Sequence, residues 1–195
     1  MRLPSPPRIP VLSREDKEAR LKVFIAEALA ARAASVDGSF GEPFTLVARA
    51  PDSPAAQAVL AMANEIAAAN VAVRVVLFET EPLTDDKAPA SLLDVSAIDT
   101  RMLTDLRFAS AHEQLVLGQG RVWIGDCMRR DPAKRDAFEM YHDTHASTAS
   151  HAAASFAKLW DKSVSLTRMV ATNVAADVIL AGHAAPDNAD ITTRR

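Results

Sequence analysis

Two apolar runs separated by one helix-length amphipathic segment constrain this chain more than any other feature. The first is FTLVARA at 44–50 and the second VAVRVVLF at 71–78. Both are short and rich in β-branched or aromatic residues, so each reads as a buried strand rather than a helix. Between them Pro51-Asp52-Ser53-Pro54 makes a turn in which Ser53 suits a helix N-cap and Pro54 the first helical position. Val59, Met62, Ala63, Ile66 and Ala67 then mark one apolar face, and Asn70 closes the helix. Strand, helix, strand in this order predicts a parallel, right-handed βαβ unit. The fold class that follows is α/β, a mixed sheet flanked by helices on both faces.

The rest of the chain is read around that unit. Residues 1–12 carry Pro4, Pro6, Pro7 and Pro10 and predict an extended, proline-rich N-terminus. Ser13 suits an N-cap with Asp16 three residues on, and Leu21, Phe24, Ile25, Ala28 and Leu29 predict a first helix to about Ala34. Residues 79–100 are mixed and read as loop with a short helical turn at 91–95. Strands are expected at 105–109, 114–117, 121–124 and 138–142, with Gly118-Gln119-Gly120 turning a hairpin between the second and third of these. Ala152, Phe156, Leu159 and Trp160 predict a helix starting near Ser147. Leu166, Met169, Val170 and Val174 predict another over 163–180, and the division expected is 1–12, 13–162 and a C-terminal helix and tail at 163–195.

A length of 195 residues suits one domain with extensions. The net charge of −3 argues against a general nucleic-acid coat, although a local basic patch keeps nucleic acid open as a partner. Cys127 is the single cysteine, so no disulfide can form within the chain. With no signal-like or membrane-spanning apolar window, the expected location is the cytoplasm. No motif asks for a cofactor. Tyr141-His142-Asp143-Thr144-His145 looks like a metal cluster, but a strand would turn His142 and Asp143 to opposite faces, and no metal is expected there.

The order of parts after the βαβ unit carries a resemblance. The stretch HEQLVLGQGRVWIGD at 112–126 is followed by an acidic residue on a later strand, Glu139, and by a helix with Phe156 and Trp160. From about Phe44 to Trp160 the chain resembles one half-domain of the phospholipase D superfamily, whose signature is HxKxxxxD, a glycine, a hydrophobic strand, a Gly-Ser-x-Asn turn and a downstream Glu. The resemblance puts His112 at the nucleophilic histidine and Glu139 at the acid that orients it. Gln114 stands at the lysine, Gln119 at the aspartate, Asp126 at the serine and Met128 at the asparagine, while Gly120 and Gly125 are kept.

That pattern implies a catalytically degenerate phospholipase D-like protein acting by binding or self-association. Phosphoryl transfer needs fixed positive charge around the phosphate oxygens; Gln114 is neutral and Asp126 repels. His112 and Glu139 are the catalytic positions, relic or active, and Gln114, Arg129 and Arg130 the candidates for holding a phosphate-containing ligand. Arg129 and Arg130 open the run RRDPAKR, which reads either as a replacement phosphate clamp or as a solvated helix start capped by Asp131. Because the family site forms between two half-domains, a homodimer is expected. Two alternatives stand beside this reading. One is a divergent phosphodiesterase or nuclease using His112 as nucleophile. The other is a structural module binding a protein partner through the proline-rich N-terminus or the C-terminal helix.

Overall fold

Phe44–Ala48 (β1) and Val73–Leu77 (β2) pair in parallel, Phe44 opposite Val73 and Ala48 opposite Leu77, as the two apolar runs predict. The structure is a computed structural model that describes residues 13–34, 42–78, 92, 95, 97–108, 110–118, 120–129 and 138–166 of the 195. The crossover between the strands begins at Ser53, whose hydroxyl accepts from the Ala56 N–H at 3.4 Å, with Pro54 in the first turn. It is built as Pro54–Ala61 (α2) and Ala63–Ala68 (α3) rather than one unbroken helix. Met62, at ψ 9°, opens the turn locally, yet its N–H still reaches Ala58 O and its carbonyl still receives Ile66 N–H. Asn70 ends the unit at φ 54°, a left-handed conformation that asparagine tolerates better than most residues.

Ile98–Met102 (β3) pairs in parallel with β2. This strand lies where the sequence reads as loop, and the strand expected at 105–109 is absent: Leu106–Phe108 forms a 3₁₀ turn, and Ala109 lies outside the described residues. The reason is local. The Asp105 carboxylate accepts from the Arg107 backbone N–H at 3.0 Å, a side-chain turn that competes with extended backbone.

His112–Val116 (β4) then runs antiparallel to β1, and Val122–Cys127 (β5) antiparallel to β4. Gly118 at φ 101° and Gly120 at φ 98° supply the left-handed backbone that the connection requires. Met140–His142 (β6) adds to β5. The sheet order is β6-β5-β4-β1-β2-β3 with a seventh strand beyond β3.

That seventh strand corrects the expectation of a helix from Val164. Ala146–Lys162 (α4) ends where the Ser163 N–H and hydroxyl both donate to Trp160 O, and Val164–Ser165 (β7) pairs antiparallel with Met102 and Arg101. An open edge of β3 offers backbone partners that a helix start would leave unpaired. The rest of the expected C-terminal helix and tail, like the proline-rich 1–12, lies outside the described residues.

The sheet is covered on both faces. On one, Arg14–Ala34 (α1) buries Leu21, Phe24, Ile25 and Ala28 with Ala55, Val59 and Ile66 of α2 and α3 against Leu46, Val75, Leu115 and Trp123. On the other, Phe156 and Leu159 of α4 pack on Val47, Val76 and Met128. Burying each large apolar side chain contributes about 1.5–3 kcal/mol, so both layers hold the sheet in place. Among the described residues no helix is long and apolar enough to cross a membrane.

A candidate site at the C-terminal ends of the parallel strands

β1 ends at Ala48 and β4, running the other way, begins at His112, so the two meet at one rim of the sheet. The last residues of β5 reach the same rim, with Cys127 in register with His112. Ligands of open α/β sheets gather beyond the carboxyl ends of parallel strands, because side chains from several loops converge there.

His112 is exposed, and its Nδ1 lies 2.9 Å from the carbonyl oxygen of Gly125. A carbonyl only accepts, so Nδ1 carries the proton in that bond and the Nε2 lone pair of the neutral ring remains available. The bond depends on a register shift between His112 and Gln114, where β5 carries an extra residue. The Phe138 ring stands edge-on to the imidazole with centroids 6.3 Å apart.

Glu139 follows Phe138, but its carboxylate turns toward α1. Oε1 accepts from Arg20 Nη1 at 2.9 Å and Oε2 from the Tyr141 hydroxyl at 3.4 Å. Among the described residues no hydrogen bond joins Glu139 to His112; Gly125 O orients the imidazole instead. Burial, and then the charge and hydrogen bond of Glu139, raise the Tyr141 phenol well above the ordinary tyrosine range, with Arg20 opposing them.

Gln114 is buried, and its amide donates to Ala152 O of α4 at 2.9 Å. Met128 is in the apolar core with Val47 and Phe156, and Asp126 is buried at the end of β5. Arg129 is exposed just after β5, and Arg130 lies outside the described residues. The structure therefore brings His112 together with Gly125, Phe138 and Cys127, while the Gln114 amide and the Glu139 carboxylate hydrogen-bond to Ala152 O and to Arg20 and Tyr141. Among the described residues no group of three or more His, Cys, Asp or Glu could hold a metal ion.

The residue that sequence reasoning missed at this rim is Arg49. It is buried, its Nη2 donates to Cys127 O at 2.9 Å, and its backbone N–H donates to Glu113 Oε1 at 3.0 Å. Its signal was present: it is the one charged residue in the apolar run 44–50. Arg49 thus anchors a guanidinium on the strand residue paired with His112, next to a cavity of about 60 Å³ also lined by Arg14, Asp52, Ser53 and Glu113. Chemically, among the described residues, the rim offers an imidazole with an available lone pair and, on the neighbouring strand end, the guanidinium of Arg49 held on Cys127 O.

No family model matches this chain, and no curated protein matches it.

Proposed function

We propose that the chain is a phospholipase D-like half-domain that has lost turnover and acts by binding a phosphate-containing ligand or by self-association. One observation carries the reading: the side chain at the position of the family's lysine, Gln114, is buried and hydrogen-bonded to Ala152 O. A phosphate at His112 then lacks the group that the family resemblance requires there, and losing one well-placed donor to a developing oxyanion typically slows a reaction by roughly 10²–10³. The engagement of Glu139 with Arg20 points the same way. The test is hydrolysis of a chromogenic phosphodiester by the natural protein and by His112→Ala, each checked for folding. Equal, near-background rates support the reading; robust turnover that vanishes in the variant overturns it.

The second reading, a divergent phosphodiesterase or nuclease with His112 as nucleophile, is favoured by one observation. The Gly125 O contact fixes the tautomer that leaves Nε2 ready to attack, and Arg49 takes the place of the lysine as the nearby cation.

Self-association is supported by β6. Among the described residues it is an edge strand of the sheet, Met140 on it leaves a large apolar side chain exposed, and so does Phe138 just before it, beside His112. Such edges pair readily with another chain unless protected. A homodimer formed there would continue the sheet across two copies, and a monomeric mass by light scattering at micromolar concentration would count against it. The interaction-module alternative rests on segments outside the described residues. The single cysteine supports a reducing, cytoplasmic location.

A further inference from the structure

Two arginines converge on one indole, on the face of the sheet that α4 covers only in part. Arg74 of β2 and Arg101 of β3 lie over the Trp160 ring, their guanidinium carbons 5.5 and 4.0 Å from its centroid. The ring is fixed by stacking on Phe156 at 5.4 Å. Strand register gathers the pair. Arg74 precedes Val76 by two residues and Arg101 is opposite Val76, so both share the face on which Val76 meets Phe156. Thr45 of β1 is opposite Arg74 on the same face.

These polar groups are under-partnered. Among the described residues neither guanidinium forms an ion pair, and Asp99, in register beside Arg74, makes none with it. The Arg101 side chain has one hydrogen bond among the described residues, Nη1 to Trp160 O at 3.4 Å, while its Nε and the Thr45 hydroxyl are buried without partners. Like charges held on a single ring repel, and a shared oxyanion removes that repulsion while meeting the planar fork of each guanidinium. Arg74 also lines an open groove of about 650 Å³ with Asn70, Ala97 and Asp99, which leaves room for the rest of a small molecule.

We propose that Arg74, Arg101 and Trp160 form a binding site for a single phosphoryl group, carried by a small phosphate ester or by free phosphate. A nucleic acid is disfavoured, since its affinity comes from many phosphate contacts at once and this chain has a net charge of −3. The site is separate from the His112 rim and does not rest on the reading given for it. Arg74 lies one residue from the start of β2, whereas His112 lies beyond the end of β1.

The experiment titrates the full chain with inorganic phosphate, and in parallel with glycerol 3-phosphate, at constant ionic strength. The side-chain N–H resonances of Arg74 and Arg101 are followed. Saturable shifts with a Kd on the order of 1 mM are expected for a site of this size, and stronger binding of the ester than of phosphate identifies the ester as the source. Arg74→Gln, at an exposed position where folding is not at stake, weakens binding at least about tenfold, and Arg101→Lys weakens it too because charge without the fork is insufficient. No saturable shift overturns the proposal. So does a response that survives Arg74→Gln and vanishes in His112→Ala, which would put the anion at the other rim. A single-stranded oligonucleotide that binds far more tightly than either phosphate would overturn the choice of ligand.

Discussion

Arg20 reaches from α1 to the carboxylate of Glu139, Nη1 to Oε1 at 2.9 Å, and ties the first helix to the entry of the edge strand β6. The contact decides where Glu139 points. With one carboxylate oxygen on Arg20 and the other on Tyr141, the acid faces α1 while His112 is held by Gly125 O.

Tyr141 is the one tyrosine in the chain, so its ionisation can be read directly. Its folded pKa is raised above the ordinary 10.0, chiefly by burial and then by Glu139. The folded state therefore holds the proton more tightly than the unfolded chain. The stability this contributes is whole below a pH of about 10 and is lost as pH rises toward the folded value. In an alkaline titration, phenolate absorbance is expected to appear beyond the ordinary tyrosine range, earlier in Glu139→Gln and later in Arg20→Gln. Ionisation of the natural protein at the ordinary pH would contradict the burial argument.

Gly125 is required by close approach. A Cβ there would meet the Trp123 ring at 2.5 Å and the Glu113 Cβ at 3.2 Å, and Trp123 is almost wholly buried. Gly125→Ala is expected to destabilise the fold by about 1–3 kcal/mol, as overpacking does, and to move the carbonyl that holds His112. Urea denaturation measures the first effect; unchanged stability would show that Trp123 can yield.

Glu113 is buried and accepts the Arg49 backbone N–H at 3.0 Å. Glu113→Ala leaves that donor without its acceptor and is expected to lose about 1–3 kcal/mol. Glu113→Gln keeps an acceptor oxygen and should lose less. Denaturation midpoints of the two variants decide the matter, and equal losses would mean that charge rather than the hydrogen bond matters.

Gln114→Lys puts the lysine of the phospholipase D signature at 114 without the setting that signature implies. The side chain at this position is buried and directed at the Ala152 carbonyl. A lysine there is expected to lose more than the ~1–3 kcal/mol that an unpaired neutral polar group costs on burial, because its charge is desolvated as well, and to add no phosphodiester hydrolysis. A gain in turnover would show that the chain at 114 can swing toward His112.

The βαβ unit was legible in the sequence because each of its signals is local: apolar runs of strand length, Ser53 before Pro54, and Asn70 at the helix end. The hairpin glycines were legible for the same reason, since Gly118 and Gly120 take positive φ. β3 was not, because Asp99 and Arg101 make its sequence look like loop; its strand character comes from pairing with β2, and only Ile98 and Thr100 are buried. β7 escaped because Val164 and Ser165 also fit a helical stripe, and the free edge of β3 decided otherwise. At the candidate site the sequence by itself determined which residue types stand at His112, Gln114 and Glu139. Only the tertiary structure decided their directions: Gln114 into α4, Glu139 onto Arg20, Arg49 onto Cys127. The physical reason is that a strand fixes each side chain to one of two faces, while the hydrogen-bond partner waiting on that face comes from residues far away in the chain.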